Sequence, residues 1–228
     1  MDESNESQTI PRQLFHTTLT VIDFHHKTSC TTKDVYVLGT HTTLPAAESF
    51  ALGALELLGY QAGDFDEYAT RVDTPVEKWK HGHDVLVCAR GAPEGREFLI
   101  GVVAKPNTES LPEGEGHTLK LPEGGEHLYY VLKSTIDFNQ DKSDSFQTSE
   151  ILGCYERRED ALVAAKKALQ RSRGEYAQYD ERDEDGQDGA WPFGDEVVVH
   201  AVTQTGQDRT VAVKTFPGAL KKYGKERE

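Results

Sequence analysis

An internal repeat constrains the fold of this chain more than any other feature. Displaced by 114 residues, Ile22 to Leu55 aligns with Ile136 to Leu169 without a gap. Ile22-Asp23-Phe24 meets Ile136-Asp137-Phe138, and Leu38-Gly39 meets Leu152-Gly153. Ala47, Ala51, Ala54 and Leu55 meet Ala161, Ala165, Ala168 and Leu169. With Ser29 and Ser143 these make 10 identities in 34 positions. Displaced by 112, Trp79-x-x-Gly82-x-Asp84-Val85-x-Val87-x-Ala89 meets Trp191-x-x-Gly194-x-Glu196-Val197-x-Val199-x-Ala201. Such self-similarity predicts two copies of one structural unit.

The periodicities inside each copy agree in order. Leu14 to Phe24 and Asp34 to Thr40 are rich in β-branched residues and alternate, which predicts strands. Thr43, with Pro45 in the first turn, opens a helix whose stripe is Leu44, Ala47, Ala51, Ala54, Leu55 and Leu58, and Gly59 suits its stop. Residues 60 to 78 are irregular. Asp84 to Arg90 and Glu97 to Ala104 read as a hairpin joined through Gly91 to Gly95. The second copy repeats this with strands at Leu128 to Phe138 and Thr148 to Tyr155, and a helix from Arg158 to Arg173. A hairpin of Glu196 to Thr203 and Thr210 to Phe216 follows. Pro217-Gly218 reads as its end.

The expected class is therefore α+β: an internal duplication of a strand-strand-helix-strand-strand unit, with mostly antiparallel sheets paired about a pseudo-two-fold axis. The expected boundaries are a disordered tail at 1–11, a first unit at 12–105 and a Pro/Gly/Glu-rich linker at 106–126. A second unit at 127–218 and a charged tail at 219–228 complete the chain.

Composition narrows the function classes. The net charge of −14 disfavours nucleic acid and favours a protein partner with a basic surface. No apolar run approaches the ~20 residues that span a bilayer. The acidic start lacks the basic and apolar segments of a secretory signal. Cys30, Cys88 and Cys154 form no Cys-x-x-Cys pair, which fits a reducing compartment, cytoplasmic or nuclear. Cys88, in an apolar run, reads as a small buried hydrophobe.

Candidate chemistry is sparse. His81-x-His83 precedes a strand and, with His25-His26 or His41, could ligate zinc or copper; surface histidines near a hairpin give the same pattern. The second copy has Phe193 and Asp195 at those places, so such a metal site would be one-sided. The acidic run Asp180 to Asp188 invites a calcium loop, but the closing glutamate position is Pro192 and the pattern fails. There is no nucleophile elbow, P-loop or dinucleotide loop, and no cofactor is implied. Trp79, Tyr68 and Tyr60 recur as Trp191, Tyr179 and Tyr176. Buried, they would peg helix to sheet; exposed, they would anchor a partner.

The stretch Trp191-Pro192-Phe193-Gly194-Asp195-Glu196-Val197-Val198-Val199-His200-Ala201-Val202, with Tyr129-Tyr130-Val131-Leu132 and Cys154-Tyr155, resembles uncharacterised hypothetical proteins of filamentous fungi. That resemblance implies an intracellular protein and carries no catalytic residue.

The functional expectation is a non-enzymatic interaction or scaffold protein built from two duplicated units. Trp79, Trp191, Tyr68, Tyr179, His41 and Asp84 are its candidate binding residues. The alternatives are an enzyme or small-molecule binder with a cleft between the units, and metal binding through His81 and His83.

Overall fold

A computed structural model describes residues 9–23, 33–91, 95–138, 146–182 and 191–225. Strands β1 (Gln13–Asp23) and β2 (Lys33–His41) lead into helix α1 (Leu44–Leu57). Strands β3 (Glu67–Thr70), β4 (Val85–Arg90) and β5 (Arg96–Pro106) follow. After the connector come β6 (Tyr129–Asp137), β7 (Phe146–Tyr155) and helix α2 (Arg158–Gln170). The chain ends with β8 (Tyr176–Glu181), β9 (Val197–Thr203), β10 (Gln207–Lys214) and a third helix, α3 (Phe216–Tyr223).

The strands form two antiparallel five-stranded sheets with one and the same order, β2-β1-β5-β4-β3 and β7-β6-β10-β9-β8. The long antiparallel pair β1–β5 joins Gln13 with Pro106 through to Asp23 with Arg96, and β6–β10 joins Tyr130 with Lys214 through to Asp137 with Gln207. No helix among the described residues is long and apolar enough to cross a membrane.

Each sheet carries its helix on one face. In the first, Ala51, Ala54 and Leu55 of α1 pack on Leu19, Tyr36, Val87, Phe98 and Ile100. In the second, Ala161, Ala165 and Leu169 of α2 pack on Val131, Val199, Ala201 and Val211. Alanine at three- and four-residue spacing lets each helix lie close to its sheet. Thr43 caps α1 with proline in the first turn as the sequence predicts, and Gly59 adopts φ 86 just beyond it. Glu159 and Asp160 in the first turn of α2 and Lys167 in the last complement its dipole.

The opposite faces meet in a third core. Leu14 and Val37 from the first sheet pack with Tyr130, Leu132, Ile151 and Cys154 from the second. Residues 114 apart touch across this seam. The rings of His16 and Tyr130 stand edge to face at 6.0 Å. The Gln147 side chain accepts from the Lys33 amide at 2.8 Å and donates to the Lys33 carbonyl. Thr40 Oγ1 shares hydrogen bonds with His16 Nδ1 at 2.8 Å and the Tyr130 hydroxyl at 2.9 Å.

Three expectations need correction. Each sheet has five strands, not four, because β3 and β8 arise from segments that read as irregular. Both are edge strands without a fully buried residue, so they lack the alternation that marks a half-buried strand. The expected charged tail at 219–228 contains most of α3. Pro217-Gly218, read as a stop, is the first turn of that helix, where Thr215 Oγ1 accepts from the Gly218 amide at 3.1 Å. Ala219 and Tyr223 bury against the first sheet's core, so the end of the chain closes the beginning. The linker is docked in part: Leu111 and Leu119 are buried, and the Thr42 amide donates to the His117 carbonyl at 2.9 Å. The expectations for residues 1–8, for Cys30, for His25-His26, and for the acidic run beyond Arg182 lie outside the described residues.

Candidate functional site

A groove runs between the two sheets in two lobes. The first, of about 350 Å³, is lined by Thr18, Thr20, Leu99 and Val103 of the first sheet and by Ser149 and Ile151 of β7. The second, of about 550 Å³, is lined by Ser134, Ile136, Thr210 and Ala212 of the second sheet. Lys33, Leu132 and Gln147 line both, so the lobes adjoin. Alternation along β1, β5, β6 and β10 aims these residues away from the helices. Gly101 sits among them because a Cβ there would lie 2.4 Å from the Asp84 carbonyl oxygen.

The second lobe is strongly charged. Asp23, Asp34, Asp195 and Glu196 line it together with Lys33, Arg96, Lys214 and Lys222. Asp34 is the hub. It accepts from Lys214, from Lys222 at 2.6 Å and from the Tyr223 hydroxyl at 2.6 Å. Burial pushes its carboxyl up, but Lys214 and the other donors more than offset this and hold it down at about 2. The Tyr36 hydroxyl donates to Glu196 at 2.5 Å; burial and that carboxylate raise the phenol well above its ordinary range. Lys214 Nζ lies 4.2 Å from the Tyr36 ring centroid. This network ties β2 of the first sheet to β10, to Glu196 and to α3.

A separate cluster lies on the first sheet. One donor atom each of His81, Cys88 and Glu97 lies within 4.8 Å of the others. Cys88 and Arg90 point the same way from β4, and Arg90 pairs across with Glu97 on β5, so the hairpin register brings thiol and carboxylate together. Cys88 Sγ donates to Glu97 Oε1 at 3.6 Å, and Arg90 Nε donates to the same oxygen at 2.8 Å. The thiol is pushed up to about 12 by burial and by Glu97. His81 reaches the cluster from the turn before β4. Trp79 Nε1 donates to the Gly82 carbonyl at 2.8 Å, the Arg71 guanidinium donates to the His83 carbonyl, and Gly82 takes φ 99. The Trp79 and His81 rings meet edge to face at 4.8 Å.

The second sheet builds the same frame with different groups. Trp191 and Phe193 meet edge to face at 5.0 Å, Gly194 takes φ 104, and the Arg182 guanidinium donates to the Asp195 carbonyl. Phe193 stacks on His200 at 3.8 Å, and His200 Nε2 lies 3.1 Å from Asp208 Oδ2. His200 Nδ1 lies 3.5 Å from Asp180 Oδ2. Asp180 and Glu181 are strand residues of β8 rather than part of a loop.

The candidate residues fall in several places. Tyr68 packs on Phe65 beside the first core, and Tyr179 lies 6.0 Å from Tyr176 with Arg173 over its ring at 4.8 Å. Trp79 and Trp191 are part-buried at their turns. His41 is buried against Phe50 at 4.9 Å, and burial lowers its pKa. Asp84 and His83 are exposed, and His83 is engaged through its carbonyl. None of these seven residues, and not His81 either, lines the groove. Sequence reasoning missed Asp34, Lys214, Lys222 and Tyr223, which only the docking of α3 brings together. It also missed Glu97, which counting outward from the Gly91 turn would have placed opposite Arg90.

No family model matches the chain, and no curated protein or solved structure matches it.

Proposed function

We propose that the chain is an internally duplicated pair of α+β units about a pseudo-two-fold axis, and that it acts as a non-enzymatic binding protein whose recognition surface is the groove between them. Two units related by such an axis bring matched residues together along it. The meetings of His16 with Tyr130 and of Lys33 with Gln147, each pair 114 apart in sequence, support this reading. The carrying observation for function is the pair of adjoining lobes, one of Thr and aliphatic side chains with Lys33, Lys105 and Glu150 at its wall, the other with four carboxylates and four cations. Clefts between domains are where ligand sites concentrate. The described cysteines support a binding rather than a nucleophilic role. Burial pushes both the Cys88 and Cys154 thiols up, away from the thiolate a nucleophile needs. The expected occupant is a protein segment from a basic partner, given the net charge of −14.

The test is copurification with the wild-type chain and with Thr20→Trp and Thr210→Trp, which fill one lobe each. The reading expects a partner recovered with wild type to be lost from both variants while their circular dichroism is unchanged. Recovery of the same partner with all three chains sinks it.

A further inference from the structure

We infer that His81, Cys88 and Glu97 form a three-ligand site for a divalent transition ion of the zinc class. This is independent of the groove reading. It assigns a different donor set from the His81–His83 pair that the sequence suggests.

A zinc ion with bonds of about 2.3 Å to sulfur and about 2.1 Å to oxygen, at the tetrahedral angle, holds the two atoms about 3.6 Å apart. Cys88 Sγ and Glu97 Oε1 stand 3.6 Å apart already. The third donor, from His81, is within 4.8 Å of both, about 1 Å beyond the spacing of two atoms on one ion. The set is one nitrogen, one sulfur and one oxygen donor, the mixture that borderline-soft dications favour over magnesium or calcium. Three protein ligands leave a fourth position open.

The surroundings are those of an oriented site. Ligating carboxylates are themselves held by hydrogen bonds, and Arg90 Nε holds Glu97 Oε1 at 2.8 Å while its Nη1 reaches Glu67 at 3.4 Å. Cys88 and Glu97 are buried, so a thiolate–cation bond there is little screened by water. A bound dication deprotonates a coordinating thiol outright, and its proton leaves to solvent. His81 is only part-buried, which leaves an approach for the ion. The turn that carries it is fixed by Trp79, Arg71 and Gly82, and the Trp79 ring packs edge to face on the His81 ring.

The second sheet supplies an internal control. Phe193 stands where His81 stands, and His200 and Asp208 take the places of Cys88 and Glu97. Phenylalanine cannot ligate, so that frame lacks the third donor. His81→Phe therefore copies a side chain the fold already accommodates at the matched position, and it removes a ligand without opening the sheet.

The experiment uses the full chain, prepared without a histidine tag and stripped with chelator. Zinc(II) and cobalt(II) are then titrated in separately. Wild type is expected to take up one ion per chain, with cobalt giving visible d–d bands and a sulfur-to-metal charge-transfer band. His81→Phe, Cys88→Ser and Glu97→Gln should each weaken uptake by at least about 100-fold, the upper end of what loss of an outer partner alone does. His83→Ala should bind as wild type does. Thermal unfolding of every variant separates lost ligation from lost fold. The inference is overturned by no uptake in wild type, by cobalt spectra without the sulfur band, or by uptake that survives in folded His81→Phe.

Discussion

At the first sheet the turn before β4 carries His81, standing edge to face with Trp79 and beside Cys88 and Glu97. At the second the turn before β9 carries Phe193, standing edge to face with Trp191 and stacked on His200 beside Asp208. The two frames match in their Trp, their positive-φ glycine and their Arg-to-carbonyl clasp. They differ in what the frame presents. The contrast separates residues that hold the fold from residues that do chemistry. Trp79, Trp191, Gly82 and Gly194 are explained by the turn alone, whereas His81 and Cys88 against Phe193 and His200 are not.

The helix-facing cores differ as well, and the largest expected effect tests that. Phe98 is fully buried among Tyr60, Phe65 and Tyr223, while its counterpart on β10 is Arg209, part-buried with its guanidinium 5.8 Å from the Tyr176 ring. Phe98→Ala should cost about 3–5 kcal/mol in urea unfolding, and Arg209→Ala about 1 kcal/mol. Equal losses would mean that the first unit's aromatic core is no stiffer than the second's smaller one.

The seam offers the next comparison. His16 and Tyr130 occupy matched places, but only His16 titrates at moderately acid pH. Burial, with Lys105, lowers its pKa from 6.5 to about 4. The unfolded chain takes up this proton near pH 6.5 and the folded chain only near 4. The resulting stability is complete above about pH 6.5 and is lost as pH falls toward 4, amounting to about 3 kcal/mol. His16→Gln should flatten that part of the curve of urea stability against pH. A curve as steep as wild type's would assign the loss to other groups.

A smaller effect concerns the latch. Asp34 collects Lys214, Lys222 and Tyr223, whereas Thr148, its counterpart on β7, has no ionisable group. Asp34→Asn should cost about 2 kcal/mol, because it leaves the part-buried Lys214 ammonium, and the exposed Lys222 beside it, without their carboxylate. Thr148→Ala should stay within about 0.5 kcal/mol. Asp34's contribution is present above the unfolded carboxyl's ordinary range and is lost as pH falls through about 2, so an acid titration locates it separately from His16. An Asp34→Asn chain as stable as wild type would make the latch incidental.

Much of the scaffold was legible because periodicity encodes burial. Ala47 and Ala51 recur as Ala161 and Ala165, and Val87 and Ala89 recur as Val199 and Ala201, all fully buried, whereas Ala168, the match of Ala54, is exposed. Edge strands β3 and β8 were not legible, since half-exposed residues carry no clear alternation. The tail was misread because Pro-Gly both stops a strand and starts a helix, and only the Thr215 cap and the docking of Tyr223 decide between them. The cluster was half legible. His81 stood out by type, but Cys88 looked like core and Glu97 like a strand opening. Their meeting depends on the β4–β5 register and on a turn folding back, which pairwise spacing does not encode. The groove depends on how two sheets pack, which no local pattern carries.

The central claim is that the two units share one frame and that its chemistry resides where they differ. The most direct measurement is cobalt stoichiometry in the double variant Phe193→His/His200→Cys, which rebuilds in the second unit the donor pattern of the first beside Asp208. The account predicts that the folded double variant binds a second cobalt ion, with a stronger sulfur charge-transfer band than wild type. A folded double variant that binds no more cobalt than wild type would contradict the equivalence of the two frames.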